Sequence, residues 1–84
     1  MNHHASPDFW ACYRALPTSV QELADKAFAL LKGNPRHPSL HFKRVAQFWS
    51  VRVGLRHRAI GVEASDGVLR FWIGTRADYG HRID

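Results

Sequence analysis

The chain has 84 residues, 45% of them hydrophobic and 12% aromatic. That is enough for one small domain spanning 1–84 with a thin core; neither a second domain nor a disordered chain is expected. Twelve Lys and Arg against seven Asp and Glu leave a formal charge of +5, which favours a polyanion or an acidic protein as partner.

The single cysteine, Cys12, rules out an internal disulfide. No secretory leader and no run of about 18 apolar residues is legible, so a cytoplasmic protein is expected. Residues 1–6 read as a flexible lead-in. Pro7 to Leu16 predicts a short helix, with Ser6 as N-cap, Pro7 at the first helical position, and Phe9, Tyr13 and Leu16 at helical spacing. Pro17 ends it. A second helix is predicted from Thr18 or Ser19 to about Lys32, because Thr18-x-x-Gln21 and Ser19-x-x-Glu22 both resemble a capping box. Val20, Leu23, Ala24, Ala27, Phe28, Leu30 and Leu31 form its apolar face, and Gly33 is expected to close it in the left-handed conformation.

Beyond Pro38 the hydrophobic period shortens to two. Leu40–Val45, Phe48–Val53, His57–Ala64 and Val68–Thr75 read as strands, with turns at 54–56 and at Ser65-Asp66-Gly67. The expected fold is α+β, a helical hairpin on a three- to four-stranded antiparallel sheet. Strict alternation assigns Leu40, Phe42, Trp49, Val51, Val53, Ile60, Val62, Leu69, Phe71 and Ile73 to the helix side. It assigns His41, Lys43, Ser50, Arg52, Ala59, Gly61, Glu63, Arg70 and Trp72 to an open, basic side. Residues 1–35 are neutral, so the whole positive surplus lies in 36–84, where arginine dominates and suits phosphate recognition.

Four segments in order, Pro38–Val45, Trp49–Gly54, Arg58–Gly61 and Phe71–Tyr79, resemble the RelE/ParE superfamily of toxins. Their counterparts there are a lysine-bearing strand, a "y-s-v-R-v-G" strand, a "Y-R-a-i" strand and a "W-I-G-x-H/R-x-x-Y" ending. The resemblance covers roughly residues 7–80. It implies the toxin of a type II toxin–antitoxin system, restrained by a cognate antitoxin. RelE-like relatives are metal-independent ribonucleases acting on messenger RNA, typically in the ribosome; ParE-like relatives act on DNA gyrase. The resemblance also implies site positions. Ser50 and Arg52 match basic positions of the middle strand, Arg58 the arginine after the tyrosine, Arg76 the basic residue after the last glycine, and Tyr79 a C-terminal tyrosine. Ser50 replaces a lysine and His57 a tyrosine. No strand is predicted before Pro7, and no full helix after Tyr79.

Cutting RNA without metal needs a base, an acid, and cations on the phosphorane oxygens. Arg52, Arg58 and Arg76 suit the cationic role; His57, His81, Tyr79 and Lys43 are the proton-transfer candidates. Arg52, Arg58, Arg76, Tyr79 and His81 therefore form the expected catalytic set, with Lys43, Arg44, Ser50, His57, Arg70 and Trp72 as RNA contacts. Structural alternatives stand beside these: Arg58 paired with Asp78 or Glu63, Tyr79 as packing, Trp72 covering sheet, Lys43 guarding an edge. No cofactor is expected. His3-His4 and His37-x-x-x-His41 lack the Cys pairs or carboxylates of a metal site. A non-catalytic binding protein and a gyrase inhibitor are the rival functions.

Overall fold

The computed structural model describes residues 2–83. In chain order it contains β1 (Asn2–Ala5), α1 (Pro7–Arg14), α2 (Thr18–Gly33), a 3-10 turn (Pro38–Leu40), β2 (Lys43–Val45), β3 (Phe48–Val53), β4 (His57–Ala64), β5 (Gly67–Thr75) and α3 (Arg76–Ile83). The strands form one sheet in the order β1-β5-β4-β3-β2, antiparallel except for the parallel β1–β5 pair.

This is an α+β fold with five strands rather than three or four, and with three helices. The lead-in expected to be flexible supplies the extra strand. Backbone bonds from Asn2 N–H to Asp66 O and Ser6 N–H to Arg70 O bracket β1. Asn2 Nδ2 and His4 Nε2 both reach the Asp66 carboxylate, at 3.0 and 3.1 Å. Together these bonds lower the Asp66 pKa below its ordinary value, Asn2 contributing most. Gly67 opens β5 without a side chain, because a Cβ there would run into the Asn2 backbone.

Ser6 caps α1 as expected, its Oγ accepting the Phe9 N–H at 3.2 Å. The capping box of α2 does not form. Pro17 occupies the cap position with no side-chain bond, and Gln21 instead donates Nε2 to the carbonyls of Tyr13 and Leu16, tying the two helices together. Gly33 remains helical, and Asn34 ends the helix with its N–H on Leu30 O at 2.7 Å. The Tyr13 hydroxyl donates to Asp25 at 2.8 Å, and the Phe9 and Phe28 rings meet edge to face at 5.5 Å.

The core lies between these helices and one sheet face. Phe9, Ala24, Phe28, Leu31, Leu40, Val51, Val53, Ala59 and Ile73 are all buried there. Strict alternation fails at one point. Gly61 pairs with Arg70 but Ile60 pairs with Trp72, so Phe71 is an extra residue without a partner, a β-bulge. Register then places Val51, Ala59 and Ile73 inward, and Ser50, Ile60 and Trp72 outward. The expected assignments of Ile60, Val62, Leu69 and Phe71 to the helix side, and of Ala59, Gly61, Glu63 and Arg70 to the open side, are therefore reversed. Small residues face the helices on β4 because the sheet is crowded there: a Cβ at Gly61 would meet Val68 Cγ1 at 2.6 Å.

Candidate functional site

Register sets Arg52 of β3 directly opposite Arg58 of β4 on the outer face. Their side chains then diverge. Arg52 bends back so that Nε donates to Gly54 O at 3.0 Å, and one terminal nitrogen lies 3.4 Å from His41 Nε2. Gly54 needs its left-handed φ of 65° for this turn. Arg58 extends the other way and lies 5.3 Å from the Tyr79 ring centre, within cation–π range.

Tyr79 reaches Arg58 because α3 returns over the outer face. The helix, not expected from the sequence, begins directly after β5. Thr75 Oγ1 accepts the Asp78 N–H at 3.2 Å, and Arg76 N–H donates to Arg56 O at 2.8 Å. Tyr79 and Arg82 are three residues apart and share a helix side. Arg82 accordingly lies 5.0 Å from the Trp72 ring.

The structure thus sets Arg52 and Arg58 opposite one another in the strand register, brings Tyr79 to Arg58, and leaves Arg76 exposed at the near end of α3. His41 is a site residue that the sequence reading put on the face but gave no role. Its φ of 44° places a non-glycine residue in the left-handed region. The signal available in sequence was its position directly after the Pro38-Ser39-Leu40 turn. His81 is exposed and, two residues after Tyr79, lies off the helix side that meets Arg58.

The expected RNA contacts divide. Lys43 is exposed on the outer face beside Ser50. His57 is half-buried opposite Val53 and Thr75, on the inner side of the register. Three others are unavailable to a ligand on the outer face. Arg70 faces inward because of the bulge and is 8% exposed. Arg44 is exposed but lies on the other side of the register, over Trp49 at 5.5 Å and toward Glu63 at 3.4 Å. Ser50 faces outward but is fully buried, its hydroxyl without a partner among the described residues. Trp72, 5% exposed beneath Arg82, covers sheet rather than presenting a free stacking face.

A groove of about 310 Å³ opens beside Arg52, between α2 and the β3 edge. Leu23, Ala27, Leu30, Leu40 and Leu55 give it an apolar floor, and Lys26 and Arg52 stand within it. Leu55 is 72% and Leu23 44% exposed, so large apolar side chains are open to solvent here.

No protein-family model matches the chain, and no curated protein matches it. Solved structures do. The RelB–RelE antitoxin–toxin complex from Methanococcus jannaschii aligns over 96% of this chain and 99% of that one, with a TM-score of 0.73 and 10% identity. The isolated E. coli RelE toxin aligns over 98% and 97%, with a TM-score of 0.63 and 13% identity. A copper-bound mutant toxin from Helicobacter pylori aligns over 93% and 97%, with a TM-score of 0.60 and 14% identity. This chain has the fold of RelE toxins along its length. No helix among the described residues is long and apolar enough to cross a membrane.

Proposed function

We propose that this chain is the toxin of a toxin–antitoxin pair, a cytoplasmic, metal-independent endoribonuclease that cuts messenger RNA, on the ribosome or free. The carrying observation is the cross-strand pair Arg52–Arg58, with an imidazole at one guanidinium and a phenol at the other, on a fold shared with RelE toxins.

In the reaction, the RNA 2′-hydroxyl attacks the adjacent phosphorus while a base takes its proton. The P–O5′ bond breaks and an acid protonates the leaving oxygen, giving a 2′,3′-cyclic phosphate and a 5′-hydroxyl. Arg52, Arg58 and Arg76 supply cations to the phosphorane oxygens. His41 and Tyr79 are the groups placed beside those cations for proton transfer; Lys43 extends the phosphate track. The restraining partner presents an acidic, amphipathic segment to the groove between α2 and β3, with its apolar side on Leu23 and Leu55 and its carboxylates near Lys26 and Arg52.

Purified protein incubated with RNA, with and without ribosomes, tests this reading. Cleavage should survive EDTA and fall by about 100-fold or more in Arg58→Ala. RNA binding without product, in every condition, would assign the chain to the non-catalytic class instead. Inhibition of gyrase supercoiling with intact RNA would assign it to the gyrase-directed one.

A further inference from the structure

The outer sheet face does not end at the arginine pair. Farther along the strands the register sets Val45 of β2, Phe48 of β3, Val62 of β4 and Leu69 of β5 side by side in outward positions. All four are partly exposed. The helix α3 meets the other end of this face, at Arg58 and Trp72. The bulge adds Phe71, also partly exposed, whose ring centre lies 5.9 Å from that of Phe48 with the planes 52° apart. Phe48 and Phe71 belong to β3 and β5, so the two rings lean toward each other over β4. Their tilt makes a notch: a planar group lying flat on one ring meets the other ring beside it.

The charge on this face has one sign. Outward positions of β2 to β5 carry Lys43, Arg52 and Arg58 and no carboxylate. Glu63 lies on the inner side with Arg44, and Asp66 sits in the turn beyond, bonded by Asn2 and His4. Lys43 pairs with Ser50, midway between Phe48 and Arg52. Successive outward residues of a strand are about 7 Å apart, which puts the notch about 13 Å from the arginine row. Guanidinium, ammonium and rings thus follow one another at a step close to that of an extended single-stranded nucleic acid. Phosphates along the cations bring a base to the rings.

We propose that Phe48 and Phe71 form a seat for one unpaired base of single-stranded RNA, about two nucleotides from the phosphate held at Arg52 and Arg58. The inference rests on the ribonuclease reading and adds to it a binding contact away from the reacting groups. Carboxylates of a peptide would meet the same cations, but the tilted rings and the nucleotide-like step favour a planar base on a phosphate backbone. Stacking tolerates every base and grows with ring area, so the seat prefers purines without reading a sequence.

The test uses the full chain and a short 2′-O-methyl RNA, which has no attacking hydroxyl and stays whole. One abasic site is moved stepwise along it, and fluorescence anisotropy reads the affinity. Removing the base at one position should weaken binding about tenfold in the unaltered chain and less than about twofold in Phe48→Leu or Phe71→Leu. The salt slope of binding should be the same in both variants, because the phosphate contacts remain. Equal losses at every position, a loss undiminished in the variants, or no binding at all overturns the proposal. Cleavage of ordinary RNA with no such position removes the seat and keeps the nuclease reading; a seat without cleavage does the reverse. A second measurement needs no variant. Of the five phenylalanine rings, isotope-labelled for magnetic resonance, only Phe48 and Phe71 should shift upfield with the intact RNA, and neither with the abasic one. Phe9, Phe28 and Phe42 belong to the inner side and should stay in place. Shifts of the outer pair that appear only with an acidic peptide overturn the assignment to RNA.

Discussion

The two faces of the sheet treat arginine in opposite ways. On the inner face Arg70 is sealed under Phe9 and Phe28, and its position is dictated by packing. On the outer face Arg52 and Arg58 are each steadied by a few polar or ring contacts and remain partly exposed. Arg70 and Arg58 sit on neighbouring strands, so residue type and strand membership do not separate the two fates. One extra residue at Phe71 does, because it shifts which side chains of β5 face the helices.

The largest effect should come from opening the inner side. Phe9→Ala removes a fully buried ring that touches Phe28, Trp10 and Tyr13, and should cost about 3–5 kcal/mol in urea unfolding. A loss under about 1 kcal/mol would mean that the helix layer is not seated on the sheet as described. Gly61→Ala tests the bulge itself. Its new methyl group would lie 2.6 Å from Val68 Cγ1 and 2.9 Å from Leu69 O, and backbone on one side cannot yield cheaply. A cost of about 1–3 kcal/mol is expected, read as a lower urea midpoint with unchanged m-value.

The outer side should respond differently. Arg58→Ala loses the contact with Tyr79 and should lower stability by only about 0.5–1 kcal/mol, even where RNA cleavage collapses. A stability loss as large as that of Phe9→Ala would make Arg58 a structural residue and erase the contrast between the faces.

The smallest effect is pH dependence at β1. His3 has a pKa pulled below 6.5 by burial and by Arg70, so the unfolded chain takes up a proton first. Its contribution is complete above 6.5 and is lost as pH falls toward the folded value. Asp66 acts lower on the scale: its depressed pKa gives stability above 3.8 that is lost as pH drops through the folded value. Urea midpoints should therefore decline between about pH 7 and about pH 5 in the unaltered chain. They should decline less in His3→Leu, and an identical slope would show that His3 is not buried as a neutral ring.

Much of this architecture was readable before any coordinates. β3 and β4 have the boundaries that alternation and turn residues indicated, since Gly54 and the Ser65-Asp66 turn bracket them sharply. α1 begins at the Ser6–Pro7 signal for the same local reason. What failed was not local. β1 is Asn-His-His-Ala, with no hydrophobic alternation, and it exists only because β5 offers a parallel edge. α3 carries Asp78, Tyr79, Gly80 and His81, weak helix material that Thr75 caps and that Trp72 and Arg58 receive. The error in facing had two sources: the register with β3 turns Ala59 and Gly61 of β4 toward the helices, where small residues read as an open platform, and the bulge at Phe71 turns Arg70 of β5 inward. In the candidate site the pairing of Arg52 with Arg58 follows from strand register, and Tyr79 joins them through a helix the sequence did not announce. His41 was placed by a left-handed turn that alternation cannot express.

The parallel edge has a consequence for synthesis. Asn2 meets Asp66 across 64 positions of chain, so the first strand made must wait for the last to clear the ribosome. Contacts of that span form slowly. Until Gly67–Thr75 emerges, the nascent polypeptide has no seat for its opening segment and no roof over the inward arginine. A growing chain therefore lacks its edge strand and the inner arginine's setting until β5 has been made.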